Sequence, residues 1–292
     1  MTANLEMDAR QIRRDIVTMI HHAGSGHSGG SLSAVEILVC LYGAVMRHDP
    51  GNPGDFCRDR FILSKGHAAP ALYAVLSHYG YFPKEELMTL RCLGSRLQGH
   101  PCRDRLPGIE LSTGSLGLGI SAGLGMALAS GINGGSYRVF VLCGDGELNE
   151  GQNWEAFMAM NKWKPDNLTV IVDYNRVQLD GIGEEIMPMG SLRDKIQSFG
   201  LKAVCCDGHD MGQLLSAFRE AGEAKGPAVI LANTVKGKGV SFMEGRSAWH
   251  GKMIGEQEYE AAMAELEAAE PEAAVPAPIQ PSMVKFARKE AD

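Results

Sequence analysis

Three continuous apolar runs, YRVFVLCG (137–144), LTVIVDY (168–174) and PAVILANT (227–234), constrain this chain more than any other feature. Each lacks the polar alternation of a half-solvated strand, so each reads as a strand buried on both faces. RFILS (60–64) and LKAVCCD (201–207) are shorter or weaker versions of the same signal. Segments of helical character, 150–162, 191–199 and 210–224, separate the later runs. Further helices are expected at 7–22, where Ile12, Ile16, Met19 and Ile20 recur at helical spacing, and at 68–80 and 116–130. Ser31, or Ser33 as an alternative, reads as the N-cap of another helix backed by Val35, Ile37 and Leu38. Buried strands alternating with helices predict an α/β fold, a parallel sheet flanked by helices with right-handed crossovers. Ligands of such sheets bind at the carboxyl ends of the strands. The expected division is an α/β domain over residues 1–255, then a helical segment and a Pro/Ala-rich tail over 256–292.

Charge narrows the ligand classes. With 28 basic and 35 acidic residues the net charge is −7, which provides no global field for nucleic acid or an anionic membrane. A polyanionic ligand would have to be held locally, by a metal, helix N-termini or a few Lys and His side chains. No stretch approaches the ~18 apolar residues of a membrane span. Met1–Ile20 lacks the features of a signal peptide. The seven cysteines are scattered without a CxxC pair, so reduced thiols and a cytoplasmic location are expected. Glycine is enriched, at 36 of 292 residues, in clusters that suggest turns hugging a ligand.

The chemistry concentrates in GDGELNEG (144–151), at the end of one buried run, and DYN (173–175), at the end of the next. Asn175 follows Asp145 by thirty residues, about one β-α-β unit. Adjacent parallel strands would then set Asp145 and Asn175 side by side at the carboxyl edge. One carboxylate and one amide oxygen form a sparse, hard-oxygen ligand set suited to Mg²⁺ or Ca²⁺, completed by water, carbonyl and phosphate oxygens. Gly144 and Gly146 permit a sharp turn around Asp145, with N–H groups free to face a phosphate. A plain strand-end turn capping a helix is the competing reading of GDG taken alone.

This pair resembles the thiamine diphosphate motif. The resemblance implies that Asp145, Asn175 and the carbonyl of Val177 hold the metal and that Gly146 donates its N–H to the diphosphate. Four glycine-flanked histidines extend it, in GSGHSGGS (24–31), LSKGHA (64–69), QGHP (98–101) and WHGK (249–252). With STGSLGLGISAGLGMA (112–127), residues 7–255 resemble transketolase. By that resemblance His67 and His250 contact the diphosphate, with His250 also near the reacting carbon. His27 and His100 contact substrate oxygens. The Gly114 carbonyl accepts from the aminopyrimidine, Leu116 and Leu179 wall the cofactor rings, and Glu150 joins a carboxylate cluster at a subunit interface. Lys236 and Lys252 add positive charge near phosphate or substrate. The sequence departs from the family pattern at Ser28, where the family has Pro, and at Leu118, where it has Gln.

The family's chemistry needs a second domain that binds the pyrimidine and supplies a glutamate to activate it. Single-chain transketolases are roughly twice this length. The resemblance therefore implies the N-terminal subunit of a split transketolase, moving a two-carbon ketol unit between sugar phosphates. The expected partner is a C-terminal subunit carrying the pyrimidine-binding domain, in a heterotetramer with two copies of each chain. Three alternatives compete. One is the alpha subunit of a 2-oxo acid dehydrogenase, which also carries a GDG motif; another is a fragment of a 1-deoxyxylulose-phosphate synthase. The third is a non-catalytic cofactor-binding subunit. The QGHP and WHGK histidines speak against the first two, and the intact motifs against the third.

Overall fold

The structure, a computed structural model, describes residues 2–268. The proline-rich stretch expected from residue 270 lies outside the described residues. The chain opens with helix α1 (Thr2–Ala23), which buries Ile12, Ile16, Met19 and Ile20 as their spacing predicts. Two short helices follow, α2 (Ser28–Leu32) and α3 (Val35–Cys40). Neither Ser31 nor Ser33 caps α3, which starts behind Ala34 with no side-chain cap. Ser31 instead donates to the His27 carbonyl, and Ser33 is drawn to a buried carboxylate, that of Asp173.

Strand β1 (Arg60–Leu63) leads into α4 (Ala69–His78), and α5 (Gly119–Ile132) precedes β2 (Val139–Gly144). Helix α6 (Gly151–Trp163), β3 (Leu168–Tyr174), the single turn α7 (Gly183–Ile186) and α8 (Leu192–Ser198) come next. Strand β4 (Lys202–Asp207), α9 (Met211–Gly222), β5 (Ala228–Asn233) and α10 (Glu256–Ala268) complete the order. Ser191 and Asp210 cap α8 and α9 by accepting from the backbone N–H of Asp194 and Gln213, a preference of short oxygen-bearing side chains at helix starts.

The five strands form one sheet in the order β1-β2-β3-β5-β4, and every neighbouring pair is parallel. Side chains alternate between two apolar layers, as the pleat requires. Phe140, Leu142 and Ile171 pack on one face with α1, α3, α4 and α9. Val139, Val141, Val170 and Val172 pack on the other with α5, α6 and α8. The helix after residue 255 belongs to the same body: Ala262 and Leu266 of α10 are buried, and Tyr259 stacks on His21 of α1 with centroids 4.3 Å apart. Among the described residues no helix is long and apolar enough to cross a membrane.

Candidate active site

Register places the functional motifs. Gly144 at the end of β2 pairs with Asp173 on β3, and Tyr174 pairs with Asn233 at the end of β5. The segments after these strands, Asp145–Asn149, Asn175–Gln178 and Thr234–Lys236, therefore emerge side by side. The Asp145 carboxylate accepts from the N–H of Gly146 at 2.8 Å and from the N–H of Arg176, the residue after Asn175, at 2.5 Å. The Asn175 side-chain oxygen accepts from the N–H of Val177 at 3.1 Å. Asp145 and Asn175 thus stand on adjoining strand tips. Burial, reinforced by the negative charge of Asp173, pushes the Asp145 carboxyl up to about 6 despite the two N–H donors.

Beneath this edge lies a polar hub that sequence reasoning missed. Asp173 is fully buried and paired with Lys65, which is 1% exposed. Asp173 also accepts from Ser33 at 2.5 Å, from the Thr234 hydroxyl and from the Asn175 amide at 3.3 Å. Lys65 makes a second bond to the Gly30 carbonyl at 2.9 Å. Burial alone would raise the Asp173 carboxyl, but the Lys65 charge and these donors outweigh it and hold it below the usual range. One carboxylate so ties the tip of β3 to the loops after β1, α2 and β5. Glu147, inside the GDG motif, does the same for the 112–119 loop. It accepts from the N–H of Gly117 at 3.0 Å and of Gly144 at 3.1 Å, and from Ser64. The sequence signal for both hubs lay within segments already singled out, LSKGHA, DYN and GDGELNEG.

Four loops bring their histidines to this edge. The His27 ring lies 5.6 Å from His67, 5.9 Å from His100 and 5.5 Å from His250, and His67 stacks on His250 at 4.9 Å. Burial and neighbouring positive charge keep all four imidazoles neutral. His27 is lowered to about 4 by burial, then by Arg91, His100 and Lys236. His250 is lowered to about 3 by burial, then by Lys236. His67 and His100 move the same way, chiefly through burial. Close backbone approach makes the cluster possible. A Cβ on Gly66 would lie 2.7 Å from the Gly114 nitrogen, and Gly114 adopts φ +140° with its open side 3.0 Å from the His100 ring. Lys236 is buried here as well. Its Nζ donates to the Val177 carbonyl at 3.0 Å and to His250 Nδ1 at 3.0 Å, and burial, then repulsion from Lys65, lowers it to about 8.

The model of the transketolase thiamine diphosphate binding domain family matches residues 6–291. The chain belongs to this transketolase family. It is 46% identical over 265 residues to the 6-deoxy-6-sulfo-D-fructose transketolase subunit SqwG of Clostridium sp. (strain MSTE9), covering 90% of this chain and 96% of that one. It is 41% identical over 263 residues to an apulose-4-phosphate transketolase subunit of Phocaeicola vulgatus, covering 90% and 93%. The solved transketolase of Leishmania mexicana superposes with a TM-score of 0.85 at 31% identity, over 90% of this chain but 41% of that chain. The chain thus spans about two-fifths of the length of that solved transketolase and nearly all of the two named subunits. As a member of this family it uses thiamine diphosphate and is a transferase of the transketolase class.

The residues present suit that cofactor and its metal. Among the described residues no group of three His, Cys, Asp or Glu side chains could hold a metal ion. The oxygens expected to serve a metal, those of Asp145, Asn175 and the Val177 carbonyl, are all hard donors, a chemistry that fits Mg²⁺ or Ca²⁺. The Val177 carbonyl, although bonded to Lys236, keeps a second lone pair. Not every residue expected in a transketolase site is gathered here. Glu150 is exposed at the start of α6, Leu116 is half-buried, and Leu179 is 61% exposed, so this chain alone builds no enclosed wall around the cofactor rings. Lys252 is turned away from the cluster: it pairs with Glu258 and lies 4.5 Å over the Trp249 ring.

Proposed function

We propose that this chain is the cofactor-binding subunit of a two-chain transketolase that moves a two-carbon ketol unit from an anionic ketose to an aldose phosphate. The observation that carries this reading is the convergence of His27, His67, His100 and His250, all held neutral, on the strand edge bearing Asp145 and Asn175. Neutral imidazoles suit a site that must grip sugar oxygens and steady developing negative charge by hydrogen bonds without carrying fixed charge of their own.

In this reading Asp145, Asn175 and the Val177 carbonyl hold the divalent ion. Gly144 and Gly146 let the turn pass close to the diphosphate, which His67, His250 and Lys236 contact. The Gly114 carbonyl faces the aminopyrimidine, and Leu116 and Leu179 flank the rings. When bound, thiamine diphosphate supplies the nucleophilic carbon and the electron sink. The protein positions the donor through His27 and His100, and His250 relays a proton to, or steadies the developing oxyanion of, the reacting carbonyl.

The partner is a separate chain with the pyrimidine-binding domain, and the assembly contains two copies of each. Leu118, Leu179, Ile182, Ile186 and Met187 are each at least 45% exposed, an apolar surface suited to cover by that chain, with Glu150 at an interface between subunits. The two related subunits are named for a sulfonated and a phosphorylated sugar, which motivates an anionic ketose as donor. The test is reconstitution with a pyrimidine-domain chain and a ketol-transfer assay over phosphorylated and sulfonated ketoses. Transfer requiring both chains is expected. Pyruvate oxidation with an artificial acceptor, and no ketol transfer from any ketose, would overturn the reading.

A further inference from the structure

We propose that Arg91 is a positioning residue that fixes His27 as a neutral imidazole with its proton on Nε2, so that the ring presents a hydrogen-bond donor to substrate. The inference rests on the reading that His27 faces substrate oxygen. An Arg91 guanidinium nitrogen lies 3.1 Å from His27 Nδ1. A guanidinium has five donors and no acceptor, so Nδ1 must offer its lone pair and the ring proton must reside on Nε2. The edge carrying Nε2 lies toward Gly251, beside His250, where a Cβ would come within 3.8 Å of Nε2. The edge carrying Nε2 therefore faces the His250–Gly251 segment, while Nδ1 is occupied by Arg91.

The local structure is built around this contact. The other terminal nitrogen of Arg91 donates to Ser25 at 2.6 Å, two residues before His27, so one guanidinium grips the loop twice. Arg91 itself adopts φ +60°, a conformation that side chains bearing a Cβ disfavour, closed by its N–H donating to the Leu97 carbonyl at 2.9 Å. Strain of this kind persists where the surroundings impose it and gathers at functional sites. Gly99, next to His100, leaves the space: a Cβ there would lie 3.3 Å from Arg91 Nε. That Nε is buried with no partner among the described residues, a cost accepted in placing the two terminal nitrogens. Among the described residues the charged and titratable groups around His27 are Arg91, Lys236, His67, His100 and His250, and no carboxylate is among those that act on its titration. The charges that act on the ring, those of Arg91, His100 and Lys236, all oppose the imidazolium form.

Histidine ¹⁵N NMR on the full chain tests this without partner, cofactor or turnover, with His27 assigned by loss of its signal in His27→Asn. The expected result is one tautomer, protonated on Nε2, that stays neutral at pH 6. In Arg91→Met the His27 titration should move up by about one pH unit or more. Arg91→Lys, which restores a cationic donor, should bring it back and serves as the variant if Arg91→Met fails to fold. A proton on Nδ1 in the wild type, or identical His27 titration in wild type and Arg91→Met, would overturn the inference. Neither result depends on ketol transfer, so a failure of the proposed function would show separately, as a correct tautomer in an inactive complex.

Discussion

Among the described residues two carboxylates are wholly enclosed, at opposite ends of the sheet, and they do different work. Asp59 precedes β1 and closes the amino ends of β1 and β2. It accepts from the backbone N–H groups of Arg47 at 2.9 Å and Arg138 at 2.8 Å, and pairs with both guanidinium groups. Asp173 closes the carboxyl ends with Lys65, Ser33, Thr234 and Asn175. Both carboxyls are held below the ordinary range because their cations and donors outweigh burial. A buried ion pair is therefore no mark of a site in this molecule. What distinguishes the carboxyl pole is what stands above its ion pair. There, glycine loops crowd together, four imidazoles are kept neutral, and two further carboxylates, Asp145 and Glu147, are destabilised in their charged form by burial.

The sharpest way to break this comparison is to remove the frame at the amino pole. Asp59→Ala removes the buried acceptor of two backbone N–H groups and of two partly exposed guanidinium groups and should cost about 3–4 kcal/mol in a denaturant titration. Coenzyme affinity per folded molecule should be unchanged; a parallel fall in affinity would mean that the poles are not separable. The reverse experiment is His100→Ala in the reconstituted complex. His100 is the most solvent-open of the four histidines, its ring only partly covered, so stability should move by no more than about 0.5 kcal/mol. Ketol transfer should fall about 100-fold, close to 2.7 kcal/mol. Undiminished turnover would favour a non-catalytic subunit.

The two poles should also separate by pH, as a smaller effect. His27 has its folded pKa lowered from 6.5 to about 4. Between those values the unfolded chain binds the extra proton, so this group's contribution to stability is present above pH 6.5 and is lost as pH falls toward 4. His27→Gln should flatten the stability curve in that window. Asp59 is depressed from 3.8, so its contribution is present above that value and is lost as pH falls below it. Asp59→Asn should narrow its deficit against wild type only below about pH 4. Urea titrations from pH 3 to 8 read both slopes, and coincident windows would contradict the division.

The fold was legible where burial is uniform. Strands β2, β3 and β5 are buried along almost their whole length and read as unbroken apolar runs, whereas edge strand β4 alternates exposed and buried positions and reads weakly. The neighbouring positions of Asp145 and Asn175 and the gathering of the four histidines were legible because each sits in a glycine loop or at a strand end. Leu179 and Lys252 keep their motif positions but stand outside the buried cluster of this chain, Leu179 exposed and Lys252 paired with Glu258. Lys65, Asp173 and Glu147 were not legible as buried charges. A Lys in a glycine loop and an Asp at a strand end look like surface residues until non-adjacent strands close over them. Ser31 and Ser33 misled for the reason that makes serine a good cap: a short hydroxyl serves whichever acceptor or donor is nearest, and here the nearest acceptors were the His27 carbonyl and the Asp173 carboxylate.

The central claim is that two neighbouring strand tips clamp a divalent ion and, through it, thiamine diphosphate. Calorimetric titration of thiamine diphosphate into the reconstituted complex, with Mg²⁺ and with chelator, addresses it directly, using wild type and Asp145→Ala. The account predicts Mg²⁺-dependent binding that weakens at least about 100-fold in the variant. The variant should lose no thermal stability, because a charged Asp145 is disfavoured in the folded chain. Equal affinities in wild type and Asp145→Ala, or binding indifferent to the metal, would contradict it.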